Sequence, residues 1–316
     1  MGNLTIITEF LLIDISSSQE LQILKGLLFL IIYLGAVAGN LLTILVIVTD
    51  SHLHFPMYFF IGNLSFIDVC FISVIVPKSF VNSLTGSKSI SLKECAAQIF
   101  LYTFFAAAEL AFLVVMSYDR YIAICHPLHY ELTVTPHACA QAAVGSWTSG
   151  LLYSAPHVIT MFRFPFTKSN VIHQYFCEAP QILRISSPEV QFFESVLMPV
   201  SAGFVLACFT LMFMSYIKIF SSVLQIRSVR ARHKALSTCT PQLAILLLFV
   251  ISALIAALSP IANTSSLKNF LTAVSYTILP PLINPLIYSL RNREINSAFG
   301  RIYKRYFWLK KRVLLD

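Results

Sequence analysis

Charge is scarce in this chain. Asp, Glu, Lys and Arg make up only 11% of its 316 residues, against 57% hydrophobic, where a water-soluble domain carries roughly 25% charge. So few ions cannot cover the surface of a soluble fold of this length, and the bilayer becomes the natural solvent if the apolar residues come in spanning runs. Other absences narrow the reading further. The seven cysteines are scattered singly, with no C-x-x-C, which excludes the usual zinc and redox motifs. The pairs His52/His54 and His126/His129 fall in short turns without evident cysteine or carboxylate companions, so they read as polar loop residues. No nucleophile–base set, metal cluster or phosphate loop stands out, and an enzyme is not expected. Residues 1–25 carry Glu9, Asp14 and Glu20, and their longest apolar run, 10–13, is too short for a cleavable leader. The first helix is therefore expected to direct membrane insertion.

What is present is a set of seven nearly uncharged stretches, 26–49, 55–77, 95–118, 138–162, 195–217, 235–267 and 269–290. Each is close to the 20 or so residues that an α-helix needs to cross a bilayer. The expectation is an all-α membrane protein, a seven-helix bundle spanning 26–290, preceded by an outer tail 1–25 and followed by a cytoplasmic tail 291–316. Orientation follows from the basic residues. With the N-terminus outside, the cytoplasmic segments hold fourteen of the 22 Lys and Arg, and the outer segments are nearly neutral. The net charge of +8 is thus a membrane-orientation signal, with no call for a nucleic-acid partner. In the tail, Ile295, Phe299, Ile302 and Tyr306 recur at helical spacing among Lys and Arg, which predicts an amphipathic helix on the inner leaflet.

Topology sorts the cysteines. Cys70, Cys139 and Cys208 lie within spans, and Cys125 and Cys239 face the reducing cytoplasm. Cys95, at the outer end of the third span, and Cys177, in the long loop 163–194, share the oxidising side, which predicts a disulfide between them. Asn3-Leu4-Thr5 is a glycosylation sequon in the outer tail.

Only Asp68 and Glu109 interrupt the seven spans with charge. Asp68 stands 12 residues above Pro56 and Glu109 stands 11 below Arg120 in chain order, so both sit roughly 16–18 Å from the cytoplasmic helix ends at 1.5 Å per residue. Carboxylates at one depth on adjacent helices suit a shared proton or a small cation such as sodium, and Asn40 and Asn284 fall near them as a polar network. Asp119-Arg120-Tyr121 closes the third span. A lone Arg would snorkel to the headgroups, but beside Asp119 it can be held in an ion pair and released, as a two-state switch requires.

These residues resemble the rhodopsin-like G-protein-coupled receptors, and within them the olfactory (odorant) receptors. The resemblance rests on Gly39-Asn40, Pro56-Met57-Tyr58-Phe59-Phe60 to Asp68, the string MSYDRYIAIC from Met116 to Cys125, Ser215-Tyr216, KALSTC from Lys234 to Cys239, and Asn284-Pro285 through Tyr288 to Asn292. It implies a receptor for small volatile molecules in olfactory cilia, coupled through a stimulatory olfactory-type G protein to cyclic AMP, with no cofactor. It also implies that Arg120 meets the G protein, that Asp119 restrains it, and that Tyr121, Tyr216 and Tyr288 belong to the same switch. The ligand cavity implied by the family is lined by Tyr102, Thr103, Ala106 and Ala107 on one face of the third helix, with Val200, Phe204, Ala253, Leu254, Ala257 and Thr277 from the others. Four departures stand out. Thr167 and Ser187 occupy the positions of a further cysteine pair in the family, Gln242 stands where a His is expected, the usual Phe-Tyr-Gly reads Phe249-Val250-Ile251, and no cysteine follows Cys239, so tail palmitoylation is not expected. The absence of an Asp near 102 and of a Lys in 269–290 argues against an amine receptor and an opsin. A transporter or channel, suggested by Asp68 and Glu109 alone, is disfavoured because no inverted repeat is detectable.

Overall fold

A computed structural model describes residues 7–13, 18–166, 169–258, 267–292 and 294–302. Asn3, Thr167 and the tail beyond 302 lie outside these residues, as does the side chain of Ala257.

The long helices are Gln19–Thr49 (helix one), Pro56–Thr85 (two), Leu92–Cys125 (three), Pro136–Met161 (four), Pro188–Gln225 (five) and Val229–Leu258 (six); helix seven comes in two pieces, Leu267–Thr277 and Leu279–Arg291. Five of them, with Phe270–Tyr288 counted for helix seven, are long and apolar enough to cross a membrane on hydropathy alone. Helix four is 26 residues long, but its Ala, Ser and Gly lower its mean hydropathy, and helix six carries an uncharged apolar run over Gln242–Ile255.

The helix starts are written in local chemistry. Pro56, Pro136 and Pro188 stand at the first helical position, where the missing N–H costs nothing and the fixed φ suits the turn. Helix three opens on a capping box in which Ser91 accepts from the Glu94 N–H while the Glu94 carboxylate accepts from the Ser91 N–H. Helix two ends at Gly86, whose φ of 67° is the left-handed cap that glycine adopts without strain. Helix seven breaks at Ile278, just ahead of Pro280 and Pro281, whose absent N–H groups cannot continue the ladder.

Two elements depart from the sequence reading. The stretch before helix one is not a plain tail. Glu9–Leu12 forms a central strand between Ser89–Ser91, antiparallel, and Val171–Ile172, parallel. Its alternate residues Phe10 and Leu12 bury under the loop with Ile90, Phe166 and Ile172. Helix one starts at Gln19, seven residues ahead of the expected span at 26. Helix five starts at Pro188 instead of 195, which brings Glu194 into its second turn, where it is fully buried. Proline at N1 favours that start, which hydropathy could not register.

On the opposite face, residues 294–302 form a further helix. Asn292 caps it, its side-chain carbonyl accepting from the Glu294 and Ile295 N–H groups at 3.1 and 3.3 Å. Arg301 on this helix donates to Asp50 in the turn after helix one at 2.7 Å. Asp50 also accepts from the His52 backbone and ring, at 3.0 and 3.1 Å, so the His52/His54 turn does have a carboxylate companion. The Arg301 guanidinium holds the Asp50 carboxyl below its ordinary range, against the opposing effect of burial.

Candidate functional site

The polar centre forms because helix seven carries Asn284 and prolines on the face turned toward helices one and two. Asn284 donates to both oxygens of Asp68, at 3.2 and 3.0 Å, and both residues are buried. Asn40 does not join this pair. Its amide donates to the Ala36 carbonyl on its own helix at 3.0 Å and to the Pro281 carbonyl at 2.9 Å. The reason is local: Pro281 O would take its helical bond from residue 285, which is Pro285 and has no N–H. Asn40 supplies the missing donor and ties helix one to helix seven. Among the described residues no hydrogen bond joins Asp68 to Glu109. The Asn284 carbonyl oxygen, the Asn40 carbonyl oxygen, the Ser65 hydroxyl and the Tyr288 hydroxyl are buried here without a described partner.

Lower in the bundle, an Arg120 guanidinium nitrogen lies 3.1 Å from Asp119, and both side chains are largely buried. Tyr130, from the loop after helix three, donates to the other Asp119 oxygen at 2.8 Å. Arg120 Nε and the hydroxyls of Tyr216 on helix five and Tyr288 on helix seven are buried with no described partner. With Asp119 Oδ2, which the Arg120 ion pair leaves without a hydrogen bond, four hydrogen-bonding groups on three helices are unspent. Tyr121 is engaged elsewhere, its hydroxyl 2.9 Å from the His126 ring and its own ring under Lys218. Gln242, the residue in place of the expected His, reaches the Leu113 carbonyl on helix three at 3.4 Å.

The outer loop is fastened as a lid. Cys95 and Cys177 form a disulfide with Cα atoms 5.4 Å apart. Beside it, the Cys177 N–H donates to Gln98 at 2.7 Å, and Ser79 on helix two donates to the Tyr175 carbonyl at 3.3 Å. The loop also grips the break in helix seven: the hydroxyls of Tyr175 and Thr277 lie 2.7 Å apart, and Tyr276 donates to Glu178 at 2.7 Å. Burial pushes the Glu178 carboxyl above its ordinary range, and the Tyr276 hydrogen bond works against that rise.

Under this lid is a cavity of about 90 Å³ lined by Phe71, Tyr102, Ala106, Glu109, Phe249, Ser252, Ala253, Tyr276, Pro280 and Pro281. A 150 Å³ cavity holds benzene, so a larger guest requires side chains to move. Of the cavity residues expected from the sequence, Tyr102, Ala106 and Ala253 line it. The others do not. Val200 and Leu254 are 72% and 54% exposed on the outer surface of the bundle. Leu254 follows the cavity residue Ala253 by one position, and a 100° step around the helix turns it outward. Ala107 packs in the core, Phe204 lies against Tyr153, and Thr103 bonds back to the Ile99 carbonyl at 2.8 Å. Thr277 is taken up by Tyr175. The residues missed on helix six, Phe249 and Ser252, stand at i and i+3 with Ala253 at i+4, a pattern that marks one helix face but not which face turns inward.

A second buried constellation escaped the sequence reading. His157 on helix four lies 2.7 Å from Glu194 and 2.6 Å from Ser201, both on helix five. It clasps the two helices in their upper half.

With this geometry in hand, the chain can be set beside known proteins. The family described as Olfactory receptor matches residues 29–305. Olfactory receptor 14I1 of Homo sapiens is 52% identical over 98% of this chain and 100% of its own length. Olfactory receptor 14A16 of Homo sapiens is 44% identical over 96% and 98%, and Olfactory receptor 1E16 of Mus musculus 40% identical over 95% and 96%. The solved structure of squid rhodopsin superposes with a TM-score of 0.66, covering 90% of this chain and 81% of its own, at 15% identity, a likeness of fold alone. The chain is a multi-pass plasma-membrane protein and a receptor, not an enzyme: it belongs to the olfactory receptor family of G-protein-coupled receptors.

Proposed function

We propose that this receptor binds a small, mostly apolar odorant in the bundle and activates a stimulatory olfactory-type G protein to raise cyclic AMP. In this reading residues 1–25 lie outside the cell with a glycan on Asn3, 26–290 form the transmembrane bundle, and 291–316 lie on the cytoplasmic face of olfactory cilia. The observation that carries it is the Arg120 arrangement. Arg120 is restrained by Asp119, itself held by Tyr130, while the buried hydroxyls of Tyr216 and Tyr288 are unspent. Release of Arg120 toward them exchanges its ion pair for bonds to two unspent hydroxyls, a two-state change of the kind a ligand can bias. The Tyr102 and Ala106 cavity, closed by the Cys177 loop, is where the ligand acts, and Glu178 and Tyr175 pass its presence to the break in helix seven. Asp68 and Glu109, with the partnerless Asn284 oxygen, form an all-oxygen set suited to a hard cation such as sodium.

Cells expressing the chain with the olfactory G protein should raise cyclic AMP on exposure to some members of an odorant panel. Arg120→Ala should abolish the response while surface staining of the receptor persists. An undiminished response in that variant would overturn the assignment.

A further inference from the structure

Three polar side chains line the cavity under the lid without a described hydrogen bond: Tyr102, Glu109 and Ser252. Other polar groups of the wall are spent. The Tyr276 hydroxyl donates to Glu178 at 2.7 Å, and the Pro281 carbonyl accepts from Asn40 at 2.9 Å. Glu109 is 7% accessible and borders the cavity, so a guest there meets its carboxyl directly.

Helix three sets the shape of the space. Tyr102, Ala106 and Glu109 stand at i, i+4 and i+7, which places them on one stripe of the helix. The stripe is about 10 Å long at 1.5 Å per residue, and Ala106 keeps its middle open. Phe71 packs on the Tyr102 ring with centroids 4.9 Å apart, and Phe249 adds a further aromatic wall. The carboxyl is therefore the strongest polar feature of a mainly hydrocarbon pocket.

A carboxyl buried without a hydrogen bond costs free energy, and a guest that brings a partner removes that cost. A carboxylate only accepts, whereas a carboxylic acid donates one bond and accepts others. A hydroxyl donates and accepts, so it satisfies either form. A ketone, aldehyde or ether has no donor and leaves a carboxylate unpaired. An ammonium has no acceptor, and its charge must leave water for aromatic and alkyl walls.

We propose that the guest is a compact alcohol, seated with its hydroxyl on the Glu109 carboxyl and its hydrocarbon body along Ala106 toward Tyr102. This rests on the reading of the cavity as the odorant site and narrows it: the receptor selects a hydroxyl over a carbonyl of the same shape. At about 90 Å³ the space suits short or small-ring bodies.

The test uses purified full-length receptor in detergent and two matched sets of probes. One is cyclopentanol, cyclopentanone, cyclopentyl methyl ether and cyclopentylamine; the other is isobutanol, isobutyraldehyde and isobutylamine. Binding is read from the rise in melting temperature with ligand concentration, using a dye that reacts with the buried free thiols of Cys139 and Cys208. Each alcohol is expected to bind about tenfold more tightly than its partners, as one hydrogen bond of this kind is worth. In Glu109→Gln, whose amide also donates, the preference over carbonyl compounds should vanish. Loss of a cation from Asp68 and Glu109 would change all probes alike and leave that ratio intact. Ala106→Leu fills the cavity and should remove every shift, which separates binding there from an effect on the detergent. Glu109→Asp draws the carboxyl back by one methylene and should weaken the alcohols; it decides the matter if Glu109→Gln does not yield a folded receptor. Equal binding of alcohol and carbonyl partner, tighter binding of the amine, no shift by any alcohol, or a preference unchanged in both Glu109 variants would each overturn the proposal. Cyclic AMP in cells separates it from the reading beneath it. Alcohols that bind without raising cyclic AMP would leave the hydroxyl site standing and overturn the proposed signalling. Odorants that raise it through this cavity with no preference for a hydroxyl would do the reverse.

Discussion

Helices three and four approach closely at Gly150, and that contact gives a prediction in which one chemical change has opposite signs at different sites. A Cβ built at Gly150 would stand 2.7 Å from the Phe104 carbonyl oxygen and 3.2 Å from both Ala108 Cβ and the Phe104 ring. At Gly145 on the same helix, and at Gly203 on helix five, nothing lies within 4 Å. Replacing a helical glycine by alanine favours the helix by about 1 kcal/mol. Gly145→Ala and Gly203→Ala should realise that gain. At Gly150 the methyl meets backbone, which cannot rotate away, and Phe104 is itself pinned against Trp147 with ring centroids 5.7 Å apart. Overpacking of this kind costs about 1–3 kcal/mol, so Gly150→Ala should lie about 1–3 kcal/mol below Gly145→Ala, and Gly150→Val lower still. The buried free thiols of Cys139 and Cys208 supply the assay, since a thiol-reactive dye reports their exposure as purified receptor is heated in detergent. Gly150→Ala should melt below wild type and the other two at or above it. Equal melting of Gly150→Ala and Gly145→Ala would refute the close approach of helices three and four.

Asp119→Asn should remove the ion pair that holds Arg120 and raise basal cyclic AMP several-fold; Tyr130→Phe should give a smaller rise, and a silent pair would refute the restraint. Ala106→Leu should fill the 90 Å³ cavity and abolish odorant responses without loss of surface receptor, whereas full responses would place the ligand elsewhere. The Asp50–Arg301 pair makes a pH prediction. Because the folded-state value of Asp50 is lowered, its stabilising contribution is complete above the ordinary aspartate value of about 3.9 and is lost as pH falls through the folded value. Wild type and Asp50→Asn should therefore melt apart at about pH 7, and the gap should shrink only once the pH falls below about 3.9; a constant gap would exclude the ion pair as the cause.

The number of helices and their approximate spans were legible in the chain, because hydropathy depends on residues close together in sequence. The cysteine pairing was legible too, since only Cys95 and Cys177 share the oxidising compartment once the spans are placed. What tertiary structure decided is what faces what. Ala253 and Leu254 are neighbours in sequence, yet one lines the cavity and the other faces outward, because rotation about a helix axis is set by packing. Asn40 was expected beside Asp68, and instead it answers a carbonyl freed by Pro285. The strand Glu9–Leu12 is too short to declare itself until Ser89–Ser91 and Val171–Ile172 flank it. His157 meets Glu194, and Arg301 meets Asp50, across stretches of chain that no local pattern spans. Composition alone committed this chain to the bilayer, because it has too little charge for water; the fold then determined which of its few polar groups are paired and which, like Tyr216, are left with a bond to make.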